Sequence, residues 1–405
     1  MNRLGRFEHG DQDMAGKPIA SIVSAGMSKF GRREGLYWRE LFLEAFKEAL
    51  ERCPVLDPKN DIKATFLGMM CEGFEHQGHA GATANTWAGL LPKAAIRTEA
   101  ACASAGAAIR FGVATIAAGF YDIVLAGGAE KMTNLSTPEA TELINTADDF
   151  HFDQWSGLTF PGFFALMATA HMHRYGTTEE DLSRISVKSH KSGALNPKAH
   201  FRKPITLEKA LGSPVISWPL KLYDCCPITD GSALLIITKP EIARKFTDTP
   251  IDIIGQGFAC DSILAFEKDY ERATFEANVE AGREAYATAN LEPKDVDVAE
   301  VHDCFTISEL IAYEDLGFCE KGEGATLIRE GVVELGGKKP VNPSGGLKCK
   351  GHPVGATGAA QLYEIYLQLT DQANGRQVSG AEVGLAHNLG GPGASAVVTI
   401  CKRGD

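Results

Sequence analysis

Residues 56–68 of the chain read LDPKNDIKATFLG, and residues 291–303 read LEPKDVDVAEVHD. Both stretches place a proline-bearing turn before an apolar strand. Both also follow a segment of helical composition, EAFKEAL at 44–50 and EAGREAY at 280–286. Self-similarity of this kind is the mark of a repeated structural unit. The chain is therefore predicted to contain two copies of one helix–strand unit.

The similarity continues on both sides of these stretches. Upstream, residues 19–31 (IASIVSAGMSKFG) and 251–262 (IDIIGQGFACDS) both begin as buried strands. Downstream, each copy has an Ala/Gly-rich helix and then a strand pattern. That pattern is YDIVLAGGAEKM at 121–132 in the first copy, and AEVGLAHNLGG at 381–391 with ASAVVTICK at 394–402 in the second. Two copies of a mixed strand–helix unit predict a pseudo-symmetric α/β protein of stacked layers.

One long segment interrupts the repeat. Residues 130–228 match neither copy, and an insertion of that length is more often functional than a plain connection. The predicted division of the chain is a flexible tail at 1–17, an N-terminal half at 18–248 that includes a loop domain at about 130–228, and a C-terminal half at 249–405.

The composition excludes several classes of protein. The formal net charge of −12 over 405 residues argues against nucleic-acid binding. No apolar run reaches the roughly 18 residues of a membrane-spanning helix, and the polar start lacks the apolar centre of a signal peptide. The ten cysteines form no CxxC pair, so structural zinc is not expected, and reduced thiols are the default in a cytosol. We therefore expect a cytoplasmic protein that binds no metal and no membrane.

The first candidate reactive group is Cys102, in EAACASAGAAIR at 99–110. The stretch follows a strand pattern and opens a helix, and nearly every neighbour of the thiol is small. The positive end of a helix dipole lowers a thiol pKa, and the unpaired N–H groups there can hold an oxyanion. The alternative is a small cysteine packed in a tight helix.

The second candidate is His352, in NPSGGLKCKGHPVGATGAAQLYEI at 342–365, which corresponds to the Cys102 region in the other copy. If the two halves stack about a pseudo-twofold axis, both residues lie at equivalent helix starts that face a shared centre. His352 could then take the proton of the Cys102 thiol. The alternative is a solvent-facing loop histidine, which the flanking glycines make less favourable.

The third candidate is VHDCFTISEL at 301–310, where a polar triplet ends an apolar strand and opens a helix. Ligands of α/β proteins bind at the ends of strands. His302 and Cys304 are therefore candidates for orienting water and for proton transfer. Asp303 is predicted to cap the helix that it opens.

Three further features receive less weight. HNLGGPGAS at 387–395 could place His387 or Asn388 at the site, although a turn between two strands explains its glycines equally well. His171 and His173 are two positions apart in a probable helix and do not share a face. Cys225 and Cys226 are interpreted as packing or lining residues.

Taken together, these stretches resemble the thiolase family. EAACASAG, NPSGG…GHPVGATG and NLGGPG follow in the family's order and spacing, and the resemblance extends from about residue 19 to residue 402. It implies the α/β thiolase fold, with two pseudo-symmetric βαβαβαββ halves stacked as αβαβα layers and residues 130–228 as the loop domain that covers coenzyme A. It also implies a homodimer or homotetramer without a tightly bound cofactor or metal.

Two departures narrow the resemblance. HDCF stands at 302–305 where common thiolases have Asn-Glu-Ala-Phe, and NLGG stands at 388–391 where they have Cys-x-Gly. The pairing is similar to the sterol-carrier-protein-2-type and archaeal acetoacetyl-CoA thiolases. The resemblance implies that Cys304 is a second, acid/base cysteine and that His302 contributes to an oxyanion hole, and it assigns Asn388 no catalytic role.

The expected reaction is the condensation of two acetyl-CoA molecules to acetoacetyl-CoA, or its reverse. Cys102 would carry the acyl group, His352 would activate it, and Cys304 would move the α-proton. The backbone N–H groups of Cys102 and Gly390 would form one oxyanion site, and His302 and His352 the other. The expected setting is lipid metabolism, the mevalonate pathway included.

Several alternatives stay open. They are a degradative 3-ketoacyl-CoA thiolase for longer or branched chains, a thiolase-like retro-aldolase acting on steroid side-chain CoA esters, and a non-catalytic scaffold subunit. The presence of Cys102, Cys304 and His352 together disfavours the last two. The resemblance also raises an association with a DUF35-type OB-fold protein and with hydroxymethylglutaryl-CoA synthase.

Overall fold

The structure is a computed structural model that describes residues 15–404. The sequence predicted a tail at residues 1–17. Residues 1–14 of that tail lie outside the described residues. Within residues 15–404 no helix combines the length and apolar character needed to cross a membrane.

The first half of the described chain alternates strands and helices and then carries the insertion. Its elements up to the insertion are β1 (Ala20–Met27), α1 (Trp38–Arg52), β2 (Ala64–Gly68), α2 (Ala80–Ala88), β3 (Ala94–Thr98), α3 (Ser104–Ala117) and β4 (Ile123–Glu130). The insertion contains α4 (Thr137–Asn145), α5 (Phe160–Tyr175), α6 (Glu179–Gly193), α7 (Leu207–Leu211), β5 (Val215–Ser217) and β6 (Leu220–Lys221). The half closes with β7 (Gly231–Thr238) and α8 (Pro240–Ala243).

The second half repeats the pattern without such an insertion. Its elements are β8 (Ile251–Cys260), α9 (Glu276–Ala289), β9 (Val298–Glu300), α10 (Thr306–Asp315), α11 (Gly324–Arg329), α12 (Gly346–Cys349), α13 (Thr357–Leu369), β10 (Val383–Gly390) and β11 (Ser395–Arg403).

The sheet shows the duplication directly. Within the described residues, nine strands form one mixed sheet in the order β3-β2-β4-β7-β1-β8-β11-β10-β9. The first-half strands β2, β3 and β4 are parallel, and β7 runs antiparallel to both β4 and β1. In the second half β9 is parallel to β10, β11 is antiparallel to β10 and β8, and Val341 bridges Ala299 in parallel. Val341 thus takes the place that β3 has in the first half, so both halves share one strand order.

Three apolar clusters separate the layers. One lies between α1 with α2 and the first-half strands, and includes Phe42 and Leu125. The middle cluster packs α3 against α13 between the strands of both halves. The third joins α9 and α10 to the second-half strands and takes in α5 from the insertion. The predicted pseudo-symmetric αβαβα architecture with an inserted segment is confirmed, while the boundaries at 248 and 249 stay predictions.

Candidate active site

The two central helices bring the predicted residues together. Cys102 lies in a single 3-10 turn, Ala101–Ala103, directly before α3, and His352 lies just before the 3-10 turn Val354–Ala356 that runs into α13. The Cys102 sulfur and one ring nitrogen each of His302 and His352 lie within 4.8 Å of one another. The expected meeting of two equivalent helix starts therefore occurs in the structure.

These three residues and Cys304 line one cavity of about 210 Å³. Cys102 is 8% exposed and His352 is 6% exposed, so both are buried but not sealed off. The rest of the wall is mainly apolar, and much of it comes from the insertion: Met132, Ile144, Phe160, Phe164, Ile216, Leu222, Cys225, Cys226 and Ile228. A largely apolar cavity lined by cysteine thiols and two imidazoles suits an acyl thioester.

The backbone before each helix start is turned the same way. Ala101 has a φ of +50° and Gly351 a φ of +113°, so the residue before Cys102 and the residue before His352 both lie at positive φ. This region suits glycine and strains alanine. Strain of this kind persists where surrounding packing fixes the backbone, and it is concentrated at functional sites.

The His352 ring is fixed by α13. Its Nδ1 lies 2.7 Å from the Thr357 hydroxyl, and that hydroxyl donates its own hydrogen to the Pro353 carbonyl at 3.0 Å. Thr357 can then only accept, so Nδ1 carries the ring hydrogen and Nε2 keeps a lone pair. Burial lowers the pKa of His352 to about 3, which keeps the ring neutral. The arrangement leaves one basic nitrogen for the site.

The thiol of Cys102 differs from expectation. Burial raises its pKa to about 12, and the charges of Glu130 and Asp148 add to the rise, while an N–H from Gly391 opposes it. The sequence predicted a lowered value from the helix dipole, and that prediction is wrong for this structure because desolvation outweighs the dipole. Cys102 and His352 are therefore a neutral thiol and a neutral imidazole at pH 7.

The sequence predicted that the backbone N–H of Gly390 forms part of an oxyanion site, and the structure adds the neighbouring Gly391 as a candidate. Gly390 is the last residue of β10, where it pairs with Ser395. Gly391 lines the cavity, and its N–H faces the Cys102 sulfur. The role of Gly390 in an oxyanion site stays a prediction, and Gly391 becomes a further candidate that lies next to it in the same Gly-Gly pair.

Cys304 lies opposite a second thiol. Cys225 and Phe305 form an antiparallel bridge, and the Cys226 N–H donates to the Cys304 carbonyl at 2.9 Å. Burial raises the pKa of Cys304 well above its ordinary value, and the neighbouring Cys226 and Cys102 act in the same direction. The thiol is thus a proton donor at neutral pH. Cys225 and Cys226 line the cavity, as one of the two sequence interpretations held.

Asp303 caps a different helix from the one predicted. Its carboxylate accepts from the N–H of Leu347 at 2.7 Å and of Lys348 at 3.3 Å, which form the first turn of α12. The capped helix is therefore not α10, which Asp303 precedes, but the one that leads to His352. Asp303 ties the HDCF strand end to the loop that carries His352.

Two further histidines considered in the sequence do not line the cavity. His387 Nδ1 faces the backbone N–H of His302 at 3.4 Å, and its Nε2 lies 2.7 Å from the Asn278 side-chain oxygen. His387 does not line the cavity. His171 is fully buried and pairs with Glu314 at 3.1 Å, which is a structural contact in α5.

Asn388 is the residue that sequence reasoning undervalued. Its Nδ2 donates to the Cys102 carbonyl at 3.0 Å and lies 3.2 Å from His302 Nδ1, and its Oδ1 accepts from the Gly106 N–H at 3.3 Å. The signal available in the sequence was an amide in place of the usual cysteine, two residues before a Gly-Gly pair. Thr357 was also missed, although it stands at the start of the helix after His352.

Fold and site together define a class: a cysteine-dependent acyltransferase built on a duplicated α/β unit. The family comparison agrees, since the thiolase N-terminal domain matches residues 20–241 and the thiolase C-terminal domain-like model matches residues 265–403. The chain belongs to the thiolase family.

Several known proteins are similar over nearly the whole chain. The acetyl-CoA acetyltransferase of Methanothermobacter thermautotrophicus is 42% identical over 385 residues, which is 95% of this chain and 99% of that protein. The enzyme of the same name from Methanocaldococcus jannaschii is 40% identical, covering 94% and 98%. Human sterol carrier protein 2 is 34% identical, covering 95% and 72%. A solved Ltp2-ChsH2(DUF35) aldolase chain has a TM-score of 0.80 at 23% identity, covering 96% and 98%, and shows the shared fold.

Proposed function

We propose that the protein is an acetyl-CoA C-acetyltransferase that condenses two acetyl-CoA molecules to acetoacetyl-CoA and CoA, or runs the reverse thiolysis. The observation that carries the proposal is the meeting of Cys102, His302 and His352 within 4.8 Å at one apolar cavity. The names of relatives at 40% and 42% identity support acetyl-CoA as the substrate.

The first half-reaction transfers the acetyl group to Cys102. The sulfur attacks the thioester carbonyl while His352 Nε2 takes the thiol proton, and the bond to the CoA sulfur then breaks as that proton passes to CoA. One thioester replaces another, so the step is nearly balanced in energy. The N–H groups of Cys102 and Gly390 or Gly391 hold the oxyanion, and each such donor typically contributes about 3 kcal/mol.

The second half-reaction forms the carbon–carbon bond. As the thiolate, which is the minor form at neutral pH, Cys304 removes an α-proton from the second acetyl-CoA, His302 holds the enolate oxygen, and the enolate carbon attacks the acetyl group on Cys102. The bond to Cys102 breaks, and the Cys102 thiolate takes the α-proton from Cys304. The expected contribution of His352 to this oxyanion site requires a protonated ring, because the neutral Nε2 has no hydrogen to donate. In thiolysis Cys304 gives the proton instead, and its raised pKa keeps it in the form that donates.

The acyl-CoA arm is proposed to enter along the insertion. Met132, Phe160 and Leu222 form part of the cavity wall and belong to residues 130–228, the segment expected to cover coenzyme A. The small residues on both sides of Cys102 in the sequence place no bulky side chain next to the sulfur, which suits the approach of a pantetheine arm. No tightly bound cofactor is part of the proposed reaction.

Association with a second copy is part of the proposal. β3 is the edge strand of the sheet, and Ile96 on it is 56% exposed, with Phe111 and Phe120 exposed nearby. An exposed apolar edge strand is ordinarily covered in the native assembly. Sedimentation of the wild type and of Phe120→Glu tests for a homodimer there. A homotetramer, the DUF35-type partner, hydroxymethylglutaryl-CoA synthase, a cytoplasmic location and a mevalonate role stay predictions.

The decisive experiment is incubation with acetyl-CoA followed by peptide mass spectrometry. The acetyl group is expected on Cys102 in the wild type and nowhere in Cys102→Ala, which loses at least about 10⁴-fold in turnover. Cys304→Ala should acylate normally yet stall before carbon–carbon bond formation. Cys260→Ser, which removes an exposed thiol, is the matched control and should turn over like the wild type.

Three outcomes would overturn parts of this proposal. No adduct on Cys102, together with aldol cleavage of a hydroxyacyl-CoA, would favour the retro-aldolase. Faster thiolysis of longer 3-ketoacyl-CoA esters than of acetoacetyl-CoA would favour the degradative thiolase. Normal turnover in Cys304→Ala would remove Cys304 from the mechanism.

A further inference from the structure

Asn388 occupies the point where both halves of the site meet. It lies on β10 with its side chain buried, and its Oδ1 is wedged between the two central helices. A Cβ built on Gly358 of α13 would come within 2.3 Å of that oxygen, and one built on Gly106 of α3 within 3.0 Å. Both helices therefore use glycine where the amide sits, so the space for this side chain is built into the fold.

The orientation of the Asn388 amide is determined by its neighbours. The Gly106 N–H can only donate, so the atom 3.3 Å from it is the oxygen. The Cys102 carbonyl can only accept, so the atom 3.0 Å from it is the nitrogen. A flipped amide would lose both hydrogen bonds in a buried place, where unpaired polar groups are costly.

The fixed amide in turn fixes His302. One Nδ2 hydrogen goes to the Cys102 carbonyl, and the other points at His302 Nδ1, 3.2 Å away. Nδ1 must accept this hydrogen, so the hydrogen of the neutral ring is on Nε2. His302 therefore has the opposite tautomer from His352, whose Nδ1 donates to Thr357.

We propose that Asn388 is a positioning residue that selects the Nε2–H tautomer of His302, so that one imidazole of the site donates a hydrogen bond while the other accepts a proton. The inference deepens the proposed function and rests on it for the catalytic use of the donor. It also explains a second property: the only lone pair of the His302 ring is already held by Asn388. Cys102, His302 and His352 have zinc-type donor atoms within 4.8 Å, but His302 cannot serve as the third ligand.

The test reverses the hydrogen bond. In Asn388→Asp the carboxylate accepts from His302 Nδ1–H, which moves the lone pair to Nε2. Acetyl transfer should fall about 10²–10³-fold in kcat through loss of an oxyanion donor. Binding of Co²⁺, followed by its thiolate charge-transfer absorption, should tighten about 10–100-fold because a third ligand is gained. Asn388→Ala is the matched control: it releases the ring without fixing either tautomer, so it loses activity as well but should gain less Co²⁺ affinity than Asn388→Asp.

A second measurement needs no variant of Asn388. ¹⁵N NMR of histidine-labelled wild type, with His302 and His352 assigned through His302→Gln and His352→Gln, should show an unprotonated Nδ1 in His302 and a protonated Nδ1 in His352. A protonated Nδ1 in His302 overturns the proposal, as does an Asp variant that folds and binds Co²⁺ no more tightly than the Ala variant. Both readouts are independent of turnover, so failure of acetyl transfer in the wild type would overturn only the proposed function.

Discussion

The Cys102 turn and the His352 turn are similar approaches to the two central helices, and they serve opposite purposes. Each begins with a positive-φ residue, passes through a 3-10 turn and enters a central helix. They differ in what supports the side chain: Thr357 holds the His352 ring, whereas backbone N–H groups, that of Gly391 among them, face the Cys102 thiol. The duplication gave both halves a similar backbone before the central helix. The side chains make one turn a proton donor, the Cys102 thiol, and the other a proton acceptor, His352 Nε2.

Burial acts on the two turns in opposite directions. It raises the pKa of Cys102 to about 12 and lowers that of His352 to about 3, and in both cases desolvation of the charged form is the main cause. A thiolate–imidazolium pair is therefore disfavoured until an oxyanion forms nearby. The pair keeps its proton on sulfur and transfers it during attack on the thioester.

Among tests of the contrast between the Cys102 and His352 turns, the largest effect is expected from His352→Gln. Without the basic Nε2, the thiol has no proton acceptor, and the rate of Cys102 acetylation should fall about 10³-fold, as is typical for loss of a general base. Rapid quench with acetyl-CoA and mass spectrometry measures that rate. Circular dichroism checks that the variant is folded. A loss below about tenfold would mean that His352 is not the base.

The raised pKa of Cys102 predicts its own pH dependence. A raised value means that the thiol stays protonated from pH 7 to 10, so alkylation by iodoacetamide should rise about tenfold with each pH unit and reach no plateau in that range. A free cysteine peptide, with a pKa of about 8.5, levels off within the range and serves as the reference. Peptide mapping gives the rate at Cys102. A plateau near pH 7 would instead indicate a preformed ion pair and would remove the contrast between the two turns.

Much of this division could be predicted from the sequence. The duplication is visible because matched turns and strands recur in one order, and the two helix starts follow from it. The sequence also placed Cys102, His302, Cys304 and His352 at strand ends and helix starts, which the fold gathers. The sequence therefore predicted well those features, the duplication and the positions of the site residues, that depend on local residue patterns and on their order along the chain.

The parts that could not be predicted depend on tertiary contact. The pKa of Cys102 is set mainly by burial in the tertiary structure, which local residues do not reveal. The capping of α12 by Asp303 joins segments far apart in sequence, as does the pairing of Cys226 with Cys304. The importance of Asn388 depends on how closely two glycine-bearing helices approach its oxygen.

A smaller effect is expected from replacing Thr357, whose hydroxyl holds the His352 ring. Thr357→Val removes the acceptor for Nδ1–H, so the wrong tautomer becomes populated and kcat should fall about 5–10-fold, which corresponds to a net hydrogen bond of about 1 kcal/mol. KM should be nearly unchanged, because Thr357 does not line the cavity. Thr357→Ser keeps the acceptor and should restore kcat. Failure of serine to restore it would assign Thr357 a packing role instead.

The smallest effect is expected from exchanging the positive-φ residues of the two turns, Ala101 and Gly351. Ala101→Gly gives the first turn the residue that the second has at Gly351. Relief of left-handed strain, about 1–2 kcal/mol, is then largely offset by the about 0.5–1 kcal/mol that glycine costs in backbone entropy. The free energy of unfolding in urea should therefore change by less than about 1 kcal/mol. The reciprocal Gly351→Ala should destabilise more, because its Cβ would lie 2.7 Å from Thr229 Cγ2 at a φ of +113°. A larger loss of stability in Ala101→Gly than in Gly351→Ala would mean that the Ala101 methyl group makes a packing contact that the second turn lacks. The two turns would then be similar in backbone conformation only.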